Sequence, residues 1–237
     1  MGRNKLRGLT SDDIWKRWVQ RVSAIHTELA FVFANRRKFL EVQEMFQKNE
    51  RLSQIGSQPY QWIIGHWGRD TVMAVRRELD NDRNTISFGA LLDEMADRNN
   101  LVTRKRFLGK LAEPGAEDLL LNSNNELFDE WGVVSRTSEP LEDYLNSDGI
   151  RADRRSLNKA ATPVLDYGNQ LIAHRTPVGR LPLTIKQIHD ALDAIEPVFK
   201  KYFVILTGSA LLQIEPTNVG DDWKETFKFP WYVKPTE

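Results

Sequence analysis

The spacing of apolar residues between Thr184 and Gly208 constrains the fold most. Ile185, Ile188, Leu192, Ile195, Phe199, Tyr202 and Leu206 recur at alternating intervals of three and four. That is the pattern of a helix with one buried face. Thr184 is placed to cap this helix and Gly208 to stop it. Pro197 falls inside it and predicts a kink, because an interior proline costs roughly 3 kcal/mol.

The same periodicity extends through most of the chain. Residues 10–52 predict a long helix, with Thr10 or Ser11 as cap and Asp12 and Asp13 in the first turn, where the helix dipole favours negative charge. Ile14, Trp18, Ile25, Leu29, Phe39, Val42 and Phe46 are its apolar positions. Such length predicts one kink or break near Asn35. Gly56 to Pro59 reads as a stop, and residues 59–80 as a second helix. Its apolar side is Trp62, Ile63, Trp67, Val72, Val75 and Leu79, and Gly65 and Gly68 are spaced to admit a neighbouring helix. A turn at Asp80 to Asp82 leads to a third helix, Phe88 to Met95, capped by Thr85 or Ser87. A short basic helix is expected over 103–112.

Residues 113–150 are richer in Asn, Ser, Gly and Pro and read as a loop-rich excursion with a short helix near 139–146. Leu119, Leu120, Leu121, Phe128 and Trp131 are too apolar for a free tether. A further helix is predicted over 154–174, capped by Asp153, with Leu157, Ala161, Val164, Leu165 and Ile172 on one side. Pro163 should kink it or restart it, and Pro177 and Gly179 end it. The tail, 209–237, should form a short hairpin or wrap the bundle. The fold class expected is mainly α, a bundle of four to six long helices in one domain.

Charge balance narrows the function classes. Thirty-three basic and 33 acidic side chains give a formal net charge of zero. A generalised nucleic-acid coat is thereby disfavoured, and any such contact has to come from local patches. Cysteine is absent, which excludes disulfides, thiolate metal sites and cysteine nucleophiles and fits a reducing compartment. No apolar run approaches the ~20 residues of a membrane span, and no signal peptide is visible. The location expected is cytoplasmic. His26, His66, His174 and His189 lack ligand spacing, so no metal or other cofactor is expected. Phosphate-binding glycine loops and nucleophile elbows are missing as well.

One stretch carries a functional signal. Residues 164–177 read Val-Leu-Asp-Tyr-Gly-Asn-Gln-Leu-Ile-Ala-His-Arg-Thr-Pro, an apolar helical segment closing on polar Asn169, His174 and Arg175. Its ending, followed by the helix opening Leu-Thr-Ile, resembles the end of the third helix and start of the fourth in the HEPN superfamily. In particular it resembles the AbiU-like abortive-infection branch of bacterial defence and toxin proteins. Residues 74–92, with an acidic turn before Ser-Phe-Gly-Ala-Leu-Leu, are similar to that branch too. The resemblance spans roughly residues 60–206.

The resemblance implies metal-independent RNA cleavage in a composite site of a two-fold homodimer. His174 would be the general acid/base near neutral pH. A guanidinium would stabilise the scissile phosphate, and Asn169 would orient the histidine or hold the phosphate. The family's arginine precedes the histidine by four to six intervening residues, where this chain has Tyr167, Gly168 and Asn169. Matching the polar residue to Asn169 puts Gly168 in the arginine's seat. Arg175, Arg76 and Arg77 are the candidates to replace it. The alternative is an inactive binding module for RNA, a nucleotide or a protein partner such as an antitoxin. The basic clusters Arg36-Arg37-Lys38, Arg104-Lys105-Arg106 and Arg151 to Arg155 read first as solvated helix faces.

Overall fold

The computed structural model describes residues 8–50, 58–111, 118–135, 140–173, 183–216 and 221–228. Among them are seven α-helices and one two-stranded antiparallel ladder, so the expected mainly α bundle is what forms. The helices are α1 (Ser11–Lys48), α2 (Gln58–Glu78), α3 (Phe88–Asp97), α4 (Arg104–Leu111), α5 (Asp118–Glu130), α6 (Ser147–Tyr167) and α7 (Ile185–Thr207). None of them is long and apolar enough to cross a membrane.

Local chemistry sets the helix ends. Thr10 and Asp13 form a reciprocal capping box on α1, and Thr184 and Gln187 do the same on α7. Ser87, rather than Thr85, caps α3 through the Ala90 N–H. Gly208 ends α7 in a left-handed conformation, φ 77°, which glycine adopts at little cost.

Several expectations are corrected. α1 runs unbroken past Asn35 to Lys48. Its inner face carries buried residues from Ile14 to Val42, so packing supports the full length. α6 begins at Ser147 under an Asn146 cap, seven residues before the expected start. Asp153 lies inside that helix and instead accepts hydrogen bonds from Tyr202 Oη and Lys201 Nζ, both at 2.9 Å. Burial and the neighbouring Asp153 carboxylate push the Tyr202 hydroxyl far above its ordinary range.

The 113–150 excursion is more ordered than expected. It contains α5, then β1 (Val133–Val134) paired with β2 (Tyr144–Leu145) in the register Val133 to Leu145 and Val134 to Tyr144. A 3-10 turn, Pro140–Glu142, replaces the short helix expected near 139–146. Phe107, Phe128 and Trp131 make a ring cluster beneath it. Arg104 is buried there against Asp129, Asp143 and the Asn125 carbonyl, with its guanidinium over Phe128. In the tail no hairpin forms among the described residues. A 3-10 segment, Asp221–Lys228, lies on α1, where Trp223 Nε1 and Lys224 Nζ meet the Glu41 carboxylate.

The core sits between α1, α3, α6 and α7. Trp18, Phe88, Leu91, Leu92, Met95, Phe199 and Tyr202 are wholly enclosed there. α2 closes one side against α1, α6 and α7. Its Trp67 stacks on Phe39 of α1, with ring centroids 4.0 Å apart and planes nearly parallel.

Candidate functional site

Beyond Tyr167 the helical path of α6 widens into a π-helical stretch, Gly168–Ala173. Pro163 has already removed one backbone donor five residues earlier. Such widenings recur at functional sites.

Gly168 is where α2 meets this stretch most closely. A Cβ on it would lie 3.1 Å from Val72 Cγ1 and 3.4 Å from Arg76 Cδ. A side chain at 168 therefore asks the Val72 and Arg76 side chains to give by a few tenths of an ångström, which glycine does not. The space an arginine there would use is filled by the stem of Arg76. Arg76 then turns its head to the next residue: Nε donates to Asn169 Oδ1 at 2.6 Å. Asn169 is exposed and Arg76 half-exposed. That one bond engages Nε alone, so both terminal nitrogens of Arg76 are without a protein partner among the described residues.

The structure thus brings together two of the five residues singled out above. Arg77 is held elsewhere, in an exposed ion pair of 3.0 Å with Glu28 of α1. His174 and Arg175 lie outside the described residues.

Buried polar contacts hold the base of α2 in register. Arg154 of α6 is 5% exposed. It donates to the Leu79 carbonyl at 2.8 Å and bonds Asn81 and Asn158 through its two terminal nitrogens. Gly89 of α3 makes room for that guanidinium, since a Cβ there would come 2.6 Å from Nη2. Glu78 is 4% exposed and accepts the Phe88 N–H at 3.1 Å. Burial pushes its carboxyl up to about 7, with that N–H pulling the other way. A second buried pair, Arg21 with Glu94 at 2.7 Å, reaches the Thr85 carbonyl and pins the same turn.

Two hollows flank α2. One, about 250 Å³, is lined by Gly68, Arg69, Val72, Tyr167 and Leu183 among others. The other, about 530 Å³, lies between α1 and α2, with Val32, Phe39, Ile63 and Ala74 in its wall and Phe31 and Trp62 beside its mouth. Phe31 and Trp62 are each 67% exposed, which corrects the placing of Trp62 on the apolar side. His189, near Trp67, accepts from Arg36 Nε at 3.0 Å through Nδ1. Burial, then the Arg36 charge, holds its pKa below the ordinary value. Among the described residues no group of three His, Asp or Glu side chains is arranged to hold a metal ion.

Sequence reading offered Arg69, His66 and Trp67 as a pocket wall, and all three line the two hollows; it missed the outward Trp62 and the buried Glu78 and Arg154. For Trp62 a signal existed. It stands 13 residues before Val75, about 140° around the helix from the centre of the buried arc. Comparison with protein-family models, with curated proteins and with solved structures gives no match for this chain.

Proposed function

We propose that this protein is a HEPN-like, metal-independent ribonuclease of a bacterial defence or toxin system, acting as a two-fold homodimer. The observation that carries the reading is the Arg76–Asn169 contact. It sets a guanidinium, whose terminal nitrogens have no partner among the described residues, against the helix end, five residues before His174 in the chain. In the reaction the 2′-oxygen of ribose attacks the adjacent phosphorus and the 5′-oxygen leaves, giving a 2′,3′-cyclic phosphate. His174 takes the proton of the attacking hydroxyl or returns one to the leaving oxygen. Arg76 neutralises charge on the phosphate, Asn169 holds Arg76 in place, and Arg175 adds a second cation.

A second reading has its own support. Tyr167, Gly168 and Asn169 leave no arginine at the three positions where the resemblance expects one, and an inactive binding module would show the same. Incubating the purified chain with cellular RNA in chelator separates the two. The nuclease reading expects cleavage that His174→Ala abolishes and Arg76→Ala lowers about 10²-fold or more. RNA bound but left intact would establish the binding module, and cleavage indifferent to His174→Ala would defeat the assignment.

A further inference from the structure

The outward face of α2 carries Trp62, His66, Arg69, Met73 and Arg76 at successive spacings of four, three, four and three. Residues so spaced lie in one line along a helix. Trp62, His66 and Arg69 are exposed, and Met73 and Arg76 half-buried. The line contains two arginines and no acid. Arg69 makes no ion pair among the described residues, and Arg76 uses only Nε. Asp70 stands beside the line, and Glu28 is already matched by Arg77. Trp62 meets the His66 ring, centroids 4.5 Å apart, which leaves most of the indole bare.

From these observations we propose that the α2 face is a track for single-stranded RNA leading to the Arg76–Asn169 corner. The inference rests on the nuclease or RNA-binding reading above and gives that site its substrate form. Interleaved aromatic and cationic side chains are what an unpaired strand needs: bases stack on rings while phosphates meet guanidinium groups. Trp62 to Arg76 spans about 21 Å at the helical rise, enough for a few extended nucleotides. The hollow beside Trp62, with Phe31 across it, has the volume and apolar wall to take an unstacked base. A duplex hides its base faces and has nothing to offer Trp62. The phosphates of a strand would neutralise Arg69 and Arg76, for which the line itself carries no acid.

Fluorescence polarisation of labelled decauridine on the full-length His174→Ala protein tests this without interference from cleavage. Trp62→Ala and Arg69→Ala are each expected to weaken binding roughly tenfold. Trp62→Phe, which keeps a stacking ring, should retain most of the affinity. Arg69→Ala should also lower the salt slope by about 0.7. Lys105→Ala removes an exposed cation from α4 and should change nothing. A paired RNA of equal length should compete poorly. Failure of decauridine to bind overturns the track. So does equal weakening by Arg69→Ala and Lys105→Ala with Trp62→Ala silent, which is diffuse charge. A shift in sedimentation mass with Trp62→Ala and no change in RNA affinity overturns it in favour of a protein contact. Cleavage by the protein with native His174, combined with silent track variants, removes the track and keeps the nuclease. A working track without cleavage keeps the track and removes the nuclease.

Discussion

Glu78→Gln isolates the titration of one buried carboxyl at the base of α2. In the folded chain that carboxyl titrates near 7, against an ordinary 4.5. Between those values the folded state holds a proton that the unfolded state has lost. Stability therefore falls as pH rises through the window, and the loss is complete above about 7. The separation of about two and a half pH units, at ~1.4 kcal/mol per unit, is worth about 3 kcal/mol. Glutamine keeps an acceptor for the Phe88 N–H but never ionises. Its amide also introduces buried N–H groups, a constant offset at every pH. The slope is therefore the readout, and the absolute difference at one pH is not. His189 titrates with the opposite sign, because its folded pKa is depressed. It is common to both proteins and cancels in the comparison. Urea unfolding followed by circular dichroism at pH 5, 6, 7 and 8, at fixed salt, should show the variant gaining about 3 kcal/mol on the parent across the series. A difference that stays flat with pH, or one that shrinks as pH rises, would refute a protonated Glu78.

Other substitutions test the packing. Phe39→Ala removes the ring stacked on Trp67 and should cost about 3–5 kcal/mol in chemical denaturation. Gly89→Ala gains helix propensity of about 1 kcal/mol but drives a methyl into the Arg154 guanidinium and the Asp80 carbonyl. Net destabilisation of about 1–2 kcal/mol is expected, and a more stable variant would mean Arg154 does not occupy that space. Trp62→Ala should leave the unfolding midpoint within about 0.5 kcal/mol of the parent, because the indole packs on little. A loss several times larger would show that Trp62 is a core residue.

What the sequence disclosed and what it hid divide along a physical line. The caps at Thr10, Ser87 and Thr184 and the stop at Gly208 are local, each set by a side chain and backbone within a few residues; Thr184 and Gly208 were legible outright, Thr10 and Ser87 each as one of two neighbouring candidates. Asp153 was read as the cap where Asn146 is the one the structure has. Its true partners, Lys201 and Tyr202, lie about fifty positions away, beyond any local rule. The β1–β2 pair was invisible because two-residue strands are too short to show alternation. Glycine spacing misled in the same way. Gly65 and Gly68 have the spacing of a helix contact, yet a Cβ on Gly65 would meet nothing and one on Gly68 only Ile188 at 3.8 Å. The tight approaches are at Gly89 and Gly168, which no pattern marks.

The candidate corner follows the same division. On sequence, Tyr167, Gly168 and Asn169 leave the arginine seat of the resemblance empty, and Arg175, Arg76 and Arg77 were the candidates to fill it. Arg175 lies outside the described residues, which leaves Arg76 and Arg77 to compare. Two consecutive residues on a helix point about 100° apart, so only the rotation of α2 decides between them. That rotation is set at a distance. Trp67 is stacked on Phe39 in mid-helix, and the Leu79 carbonyl is held by Arg154 just past its end. With those two points fixed, Arg77 faces Glu28 and Arg76 crosses Gly168 to Asn169. The side chains that set which guanidinium meets Asn169 are therefore a buried ring and a buried cation. Loosening either should release Arg76 from Asn169 before it unfolds the bundle. In Arg154→Met a loss of RNA affinity at temperatures where circular dichroism is unchanged is the expected sign. Affinity that falls only along with the helical signal would mean that α2 and the corner melt as one unit.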